Sequence, residues 1–227
     1  MFRIKICGLR TLADAEAVLA AGGDAIGLNF FARSPRFVER SAAAEIARQT
    51  LGKLCRVGLF VGAAADEVCR TFDELELDLI QLHGDEPPEY LAQLGGRPVM
   101  KAFRLAGEDL EPITAYLTAA AGLNAAPQLV LLDAFRAGQF GGTGATVDWP
   151  AARRLRELLA ATPLVLAGGL VPENVAAAIH AVGPQAVDTA SGVESQPGQK
   201  DAARIAAFVA AARAGFATRP PSERERT

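Results

Sequence analysis

The chain has 227 residues, of which half are hydrophobic and 22% are charged, and its formal net charge is −3. This composition is typical of a soluble globular protein, and the length allows one large domain or two smaller ones. The weak negative charge provides no field that would attract a nucleic-acid backbone or an anionic membrane, so neither partner is expected.

The N-terminus and the cysteines indicate the cellular compartment. The segment MFRIKICGLR has no apolar run long enough for a signal peptide, and no run of about 18 apolar residues occurs elsewhere. Cys7, Cys55 and Cys69 cannot all pair with one another, and their spacing fits neither a disulfide scaffold nor a metal site. We therefore expect a cytoplasmic protein with reduced thiols.

Short β-rich apolar segments alternate with alanine-rich helical segments along the chain, as in parallel βαβ units. Helix ends are marked as well, because Thr11 is a candidate N-cap for TLADAEAVLAAGG, and VPENVAAAIHAVGP has Pro172 near its first turn and Gly183-Pro184 at its end. The eight predicted strands are RIKICGL, AIGLNF, CRVGLFV, LDLIQLHG, PVMKAFR, LVLLDAF, PLVLAGG and AVDTASG.

Eight βα units predict the α/β class and a single (β/α)8 TIM barrel over residues 1–215. The polar, proline-containing segment 216–227 is predicted to be a disordered C-terminal tail. A doubly wound sheet is the alternative, but the first strand ends in CGLR, where a dinucleotide fingerprint would be expected. A barrel would place the active site at the carboxyl ends of the strands.

Polar residues or glycines stand at those ends, although strands buried on both faces favour apolar residues. A lone cysteine in an apolar strand is more often an inert core residue, but a thiol at the barrel mouth can have a lowered pKa and serve as a base. Cys55 and Cys69 are interpreted as structural. The strand-end residues are Cys7, Asn29, Gln81, His83, Arg104, Asp133, Gly168, Gly169, Ser191 and Gly192.

Asp133 ends the sixth predicted strand and is followed by the glycine-containing segment RAGQFGGTGAT, not by a helix start, which weakens a capping role. Glycines in LAGGLVPENV and TASGVE follow the seventh and eighth strands. Such glycines often serve turn geometry alone, but together they predict the phosphate site frequently found on this fold. The expected ligand is a phosphorylated small molecule.

Five further charged or titratable residues lie at or after the ends of the second and fourth predicted strands. Arg33 and Arg36 flank a Ser-Pro turn, where arginines are usually solvated, although one facing a site could bind a carboxylate. His83 is predicted to line the site. Asp85 and Glu86 are predicted to begin the following helix, where carboxylates favour the helix dipole.

Seven motifs carry a resemblance to a known family: KICGL, SPRFV, VGLFV, QLHGDE, LLDAF with GGTGATVDW, LAGGLVPENV and SGVE, in this order. Over about residues 3–210 the chain closely resembles phosphoribosylanthranilate isomerases of tryptophan biosynthesis. The resemblance implies a cofactor-free, metal-free Amadori rearrangement of N-(5-phosphoribosyl)anthranilate to 1-(2-carboxyphenylamino)-1-deoxyribulose 5-phosphate. Either a monomer or a homodimer is expected.

The same resemblance implies residue roles. Asp133 corresponds to the general acid and Cys7 to the general base, while Arg36 corresponds to the arginine that binds the anthranilate carboxylate. His83 and Asp188 correspond to residues near the substrate. Ala190 departs from the polar residue expected before SGVE. The residues implied to form the phosphate cradle are Gly141, Gly142, Gly144, Gly168, Gly169, Ser191 and Gly192.

Three other functions compete with this one. The sugar isomerase of histidine biosynthesis is expected to have aspartates at both catalytic strand ends, so Cys7 argues against it. Indole-glycerol-phosphate synthase relies on lysine and glutamate, and here no strand-end lysine is matched by a glutamate, with Lys101 in mid-strand being ambiguous. A non-catalytic barrel that binds a phosphorylated ligand would not need Cys7 and Asp133 together.

Overall fold

A computed structural model describes residues 1–105, 109–134, 148–159 and 162–219. Eight parallel strands close a barrel in which each strand pairs with the next along the chain and the eighth pairs with the first. The predicted (β/α)8 barrel is therefore confirmed, and the doubly wound alternative is wrong. The strands are β1 Ile4–Cys7, β2 Ala25–Asn29, β3 Cys55–Phe60, β4 Leu79–Leu82, β5 Val99–Leu105, β6 Leu129–Ala134, β7 Leu164–Leu166 and β8 Ala186–Thr189.

Helices lie between the strands and after the last one. A 3₁₀ turn at Ser191–Val193 follows β8 and leads into a small antiparallel pair, β9 Glu194–Gln196 and β10 Gln199–Lys200. No helix of the described ranges is long and apolar enough to cross a bilayer. The helices are α1 Leu12–Ala21, α2 Arg40–Thr50, α3 Ala65–Glu74, α4 Pro88–Ala92, α5 Glu111–Gly122, α6 Trp149–Leu158, α7 Val175–Val182 and α8 Ala202–Thr218.

The helix-end predictions are confirmed at α1 and α7. The Thr11 hydroxyl accepts the Asp14 N–H at 3.2 Å, and the Asp14 carboxylate accepts the Thr11 N–H at 3.0 Å, which forms a capping box. Gly22 ends α1 with φ of 77°, and Gly183 ends α7 with φ of 67°. Both angles lie in the left-handed region that glycine adopts without strain.

Two element boundaries differ from those expected. Asp85 and Glu86 precede α4, which begins only at Pro88, so the prediction that they start the helix is wrong. The reason is that the Glu86 carboxylate is buried in contact with Lys101 and is not available at the start of a helix. Helix α8 runs to Thr218, past the boundary placed at residue 215, because its alanine-rich pattern continues through GFAT.

Side chains alternate between two apolar layers along each strand. Inward-facing residues such as Ala25, Leu79 and Leu129 fill the barrel, while outward-facing residues such as Ile26 and Val130 pack against the helices. Toward the carboxyl ends the inward positions become polar. The same two-residue period places six polar or titratable residues on the inward face of the strands: Lys5, Cys7, Asn29, Gln81, Asp133 and Asp188.

Candidate active site

A pocket opens at the carboxyl ends of the strands, where the barrel fold places active sites. About 560 Å³ of empty space, part of it open solvent at the mouth, lies between its walls. Most of the predicted site residues that the structure describes meet here. The lining includes Cys7, Asn29, Ser34, Arg36, Gln81, His83, Asp133, Gly168, Gly169, Asp188, Thr189, Ala190 and Ser191.

Cys7 is the last residue of β1 and its side chain is buried at the pocket wall. Burial raises the pKa of its thiol, and the nearby Lys5 ammonium offsets part of that increase. The sequence left the direction of this shift open, and here desolvation outweighs the positive charge beside the sulfur.

Sequence reasoning missed Lys5, which lies two residues before Cys7 on the same inward face of β1. Its side chain is fully buried, and its ammonium donates to Asp188 Oδ1 on β8 at 3.0 Å. Burial alone would lower the pKa of Lys5, but the negative charges of Asp188 and Cys7 raise it above its ordinary value. Lys5 could have been predicted because it lies two residues before Cys7 in a buried strand, and residues at that spacing point to the same face.

Asp133 lies within β6, and its Oδ1 accepts the Ala134 N–H at 2.8 Å. Next to it, Gln81 Nε2 lies 2.9 Å from His83 Nδ1. If the Gln81 amide donates to Nδ1, the ring proton of His83 is on Nε2. Nε2 lies 3.2 Å from Asp133 Oδ2, but the two groups are not aligned for a hydrogen bond. The three side chains thus form one buried polar group on the wall of the pocket.

Arg36 lies at the pocket wall, but Glu194 holds its guanidinium. Arg36 Nε and Nη2 donate to the two Glu194 oxygens at 2.8 and 2.7 Å. Lys200 also donates to Glu194 Oε1 at 2.7 Å and to the Ala190 carbonyl at 2.9 Å. Burial alone would raise the pKa of Glu194, but the contacts with Arg36 and Lys200 lower it. The buried Glu194 carboxylate therefore fixes the orientation of the Arg36 guanidinium.

The glycine segments after β7 and β8 meet at one side of the pocket. Gly168 and Gly169 have φ of 77° and 65°, and among the described residues no backbone carbonyl accepts their N–H groups or that of Ser191. Asn174 braces this turn by donating to the Gly169 carbonyl at 3.0 Å and accepting the Val171 N–H at 2.9 Å. Exposed amides in such a turn are suited to an anion.

Gly192 lies behind the lining and not in it. A Cβ at this position would lie 2.0 Å from the Leu170 carbonyl oxygen, so only glycine allows the two loops to pack this closely. Ala190 has no side-chain hydroxyl, but its backbone carbonyl accepts a hydrogen bond from the Lys200 ammonium. The predicted phosphate-binding residues Gly141, Gly142 and Gly144 lie outside the described residues.

The remaining candidates lie away from the lining. Arg104 forms an ion pair with Asp85, and Arg33 is exposed, with its guanidinium 5.2 Å from the Phe31 ring centroid. Burial, with a smaller contribution from Asp78, raises the pKa of Cys55 to about 11, which agrees with a structural role.

Lys101 is matched by a glutamate after all, because its ammonium lies 2.9 Å from Glu86 Oε2. Lys101 sits between the inward-facing Met100 and Ala102 and therefore points away from the barrel interior. Neither member of this pair is among the residues that line the pocket. Lys101, which the sequence left ambiguous, therefore pairs with a glutamate outside the candidate site.

Comparison with known proteins assigns the chain to a family. The sequence model described as N-(5′phosphoribosyl)anthranilate (PRA) isomerase matches residues 4–211. The chain belongs to this family. Proteins named N-(5′-phosphoribosyl)anthranilate isomerase from Geobacter sp. (strain M21) and Pseudomonas aeruginosa (strain UCBPP-PA14) are 45% and 46% identical to it. The alignments cover 94% and 93% of this chain and 98% and 95% of those relatives.

Solved structures of the isomerase family agree with the fold. The phosphoribosyl anthranilate isomerase of Thermotoga maritima superposes with a TM-score of 0.83 at 34% identity, over 94% of this chain and 100% of that one. A structure of the family's isomerase in complex with reduced 1-(o-carboxyphenylamino)-1-deoxyribulose 5-phosphate has a TM-score of 0.80 at 34% identity, with the same two coverages. The predicted family is confirmed.

Proposed function

We propose that this protein isomerises N-(5-phosphoribosyl)anthranilate to 1-(2-carboxyphenylamino)-1-deoxyribulose 5-phosphate, an aldose–ketose conversion in tryptophan biosynthesis. The observation that carries the proposal is that Cys7 and Asp133, from separate strands, face one pocket that also has glycine-rich turns whose N–H groups meet no backbone carbonyl of the described residues. An acid and a base are thereby available to different atoms of one bound sugar.

Asp133 is proposed as the general acid of the first step. Its proton passes to the furanose ring oxygen, and the bond from that oxygen to C1′ breaks with its electron pair remaining on oxygen. The anthranilate nitrogen lone pair forms the C1′=N bond, which gives a protonated Schiff base. His83 Nε2 lies 3.2 Å from Asp133 Oδ2, so its N–H would stabilise the resulting carboxylate once it turns into line with that oxygen.

The Cys7 thiolate is proposed as the general base of the second step. It takes the proton from C2′, the C–H electron pair becomes the C1′=C2′ bond, and the C1′=N pair returns to nitrogen. The enolamine then gains a proton at C1′ and loses the one on its C2′ hydroxyl, which gives the ketone. The site resets when the thiol loses its proton and Asp133 regains one. A raised pKa reduces the fraction of thiolate but makes each thiolate a stronger base.

Substrate binding is proposed to use the remaining lining groups. Arg36, already oriented by Glu194, would bind the anthranilate carboxylate, and the N–H groups of Gly168, Gly169 and Ser191 would bind the phosphate. Gln81 Oε1 is buried and accepts no hydrogen bond within the described residues. An unsatisfied buried acceptor is costly, so we expect a sugar hydroxyl to donate to it.

The activity is tested with enzymatically generated phosphoribosylanthranilate and purified protein, without added metal or nucleotide. Loss of anthranilate-type fluorescence follows the reaction. Wild type is expected to turn over, and Asp133→Asn to lose between about 10² and 10⁴ of kcat, because amide cannot donate the ring-opening proton as an acid. Asp78→Asn is the matched control, since Asp78 pairs with Arg56 at the amino-terminal end of the barrel.

Inert wild-type protein under these conditions would overturn the proposal and favour a non-catalytic phosphate-binding barrel. Turnover by Asp133→Asn at the rate of Asp78→Asn would overturn the role of Asp133 while leaving the activity in place.

A further inference from the structure

The proposed reaction gives no role to the ammonium of Lys5, which lies on the inward face of β1. Lys5 is fully buried, although an ammonium is among the most costly groups to remove from water. Its registered partner on the neighbouring strand is Asp188, whose Oδ1 accepts from Nζ at 3.0 Å. This ion pair lies on the floor of the pocket, beneath Cys7.

The barrel leaves space for Lys5 and Cys7 to approach each other. Gly27 is registered beside Cys7 on β2, and a Cβ there would lie 2.6 Å from Cys7 Sγ and 3.1 Å from Lys5 Nζ. Both atoms therefore occupy the volume that any other residue would fill with its side chain. A glycine on the inward face of a buried strand is otherwise unfavourable, so its position here is informative.

The charges around the Cys7 sulfur do not all favour the thiolate. Lys5 on β1 and Lys200 on β10 stabilise the negative sulfur, whereas Asp188 on β8 opposes it. Lys200 is shared with Glu194, while Lys5 lies on the same strand as Cys7 and has the larger effect on its thiol. The other charged and titratable groups at the pocket are Arg36, its partner Glu194, His83 and Asp133.

We propose that Lys5 is a positioning residue that supplies the positive charge on which the Cys7 thiolate depends, with Asp188 holding the ammonium in place. The inference rests on the proposed function, in which Cys7 acts as the base. Proton transfer from C2′ to Sγ converts the thiolate–ammonium pair into a neutral thiol beside the ammonium, so Lys5 itself neither gains nor loses a proton. A purely structural ion pair would stabilise the barrel without affecting the thiol.

The test measures the Cys7 thiol directly and requires no substrate. In a Cys55→Ser/Cys69→Ser background, the thiolate absorbance near 240 nm is followed against pH, and the Cys7→Ser version is subtracted to remove tyrosinate absorption. Lys5→Met is expected to move the titration upward by about one pH unit or more, a tenfold loss of thiolate at a given pH. In turnover, the acid limb of kcat/KM should move upward by the same amount.

Lys101→Met is the matched control, because it removes another buried lysine from an ion pair with a carboxylate without touching the pocket lining. It is expected to cost stability and leave the Cys7 titration unchanged. If Lys5→Met does not fold, Lys5→Met/Asp188→Asn removes both charges and is expected to shift the titration in the same direction by less. No upward shift in the variant that folds would overturn the role of Lys5, whereas a shift without any turnover would overturn the proposed function alone.

Discussion

At the scale of single residues, the site depends on which side chains the strands turn inward. Cys7 and Asp133 were predicted because a polar residue at the end of an apolar strand is visible in the sequence. Lys5 was not, because its role depends on Asp188, which is 183 residues away in the chain and becomes its neighbour only when β1 pairs with β8.

Gly27→Ala tests how closely the site is packed. The added Cβ would lie 2.6 Å from Cys7 Sγ and 3.0 Å from Cys7 Cα, so the thiol and the β1 backbone must shift. We expect a loss of about 1–3 kcal/mol in the free energy of unfolding and a fall in kcat, measured by urea denaturation and the fluorescence assay. Gly122→Ala is the control, since a Cβ there meets no atom within 4 Å. Equal behaviour of the two variants would contradict this packing.

At the scale of elements, the small β9–β10 pair has a function that the sequence did not reveal. Within the motif SGVE, Ser191 and Gly192 were assigned to phosphate binding and Glu194 was given no role, yet Glu194 binds Arg36 and Lys200. A motif shows which residues occur together and not which of them contact one another.

Glu194→Gln tests the ion pairs that Glu194 forms with Arg36 and Lys200. The contacts with Arg36 and Lys200 hold the pKa of Glu194 below its ordinary 4.5, so its stabilising effect is present above that pH and is lost as the pH falls through the lowered value. At neutral pH we expect a loss of about 3 kcal/mol in the free energy of unfolding. The gap between wild type and variant should close in acid.

Denaturant titrations at neutral and acidic pH measure that gap, and Glu45→Gln is the control because Glu45 forms an exposed ion pair with Arg48. A gap that stays constant with pH would contradict the charge explanation.

Thr11→Ala tests whether the sequence-predicted cap stabilises α1. The substitution removes the hydroxyl that accepts the Asp14 N–H, and we expect a loss of about 1 kcal/mol in the free energy of unfolding. Thr118→Ala, on the exposed face of α5, is the comparison because it removes a hydroxyl without removing a cap. A cost for Thr11→Ala no greater than that for Thr118→Ala would show that the capping box contributes nothing.

At the scale of the whole molecule, the barrel was predictable because each of its eight strands is marked by composition and periodicity. The two apolar layers could be predicted because side chains alternate between the two faces of each strand. The closed barrel could be predicted because the chain has eight βα units. The domain end was less predictable, because helix α8 continues to Thr218 through residues whose contacts are made by distant parts of the chain.

Two C-terminal truncations test where the domain ends. Removal of residues 220–227 should leave the unfolding midpoint unchanged, because that segment is polar and has no apolar run to pack. Removal of everything after Gly215 deletes Phe216, which packs on the core, and Thr218, whose hydroxyl lies 3.0 Å from His180 Nε2. The midpoint should then fall by about 2–4 °C for each kcal/mol lost, measured by thermal denaturation. Equal midpoints would support the boundary at residue 215.

The most direct test of the central claim is the kcat/KM of Cys7→Ser relative to Cys55→Ser, measured on phosphoribosylanthranilate at one pH. A hydroxyl has a far higher pKa than a thiol, so it cannot supply the base, whereas Cys55 lies away from the pocket lining. We predict a fall of at least about 100-fold for Cys7→Ser and near wild-type turnover for Cys55→Ser. Equal activity in the two variants would show that Cys7 packs the barrel and that another group removes the C2′ proton.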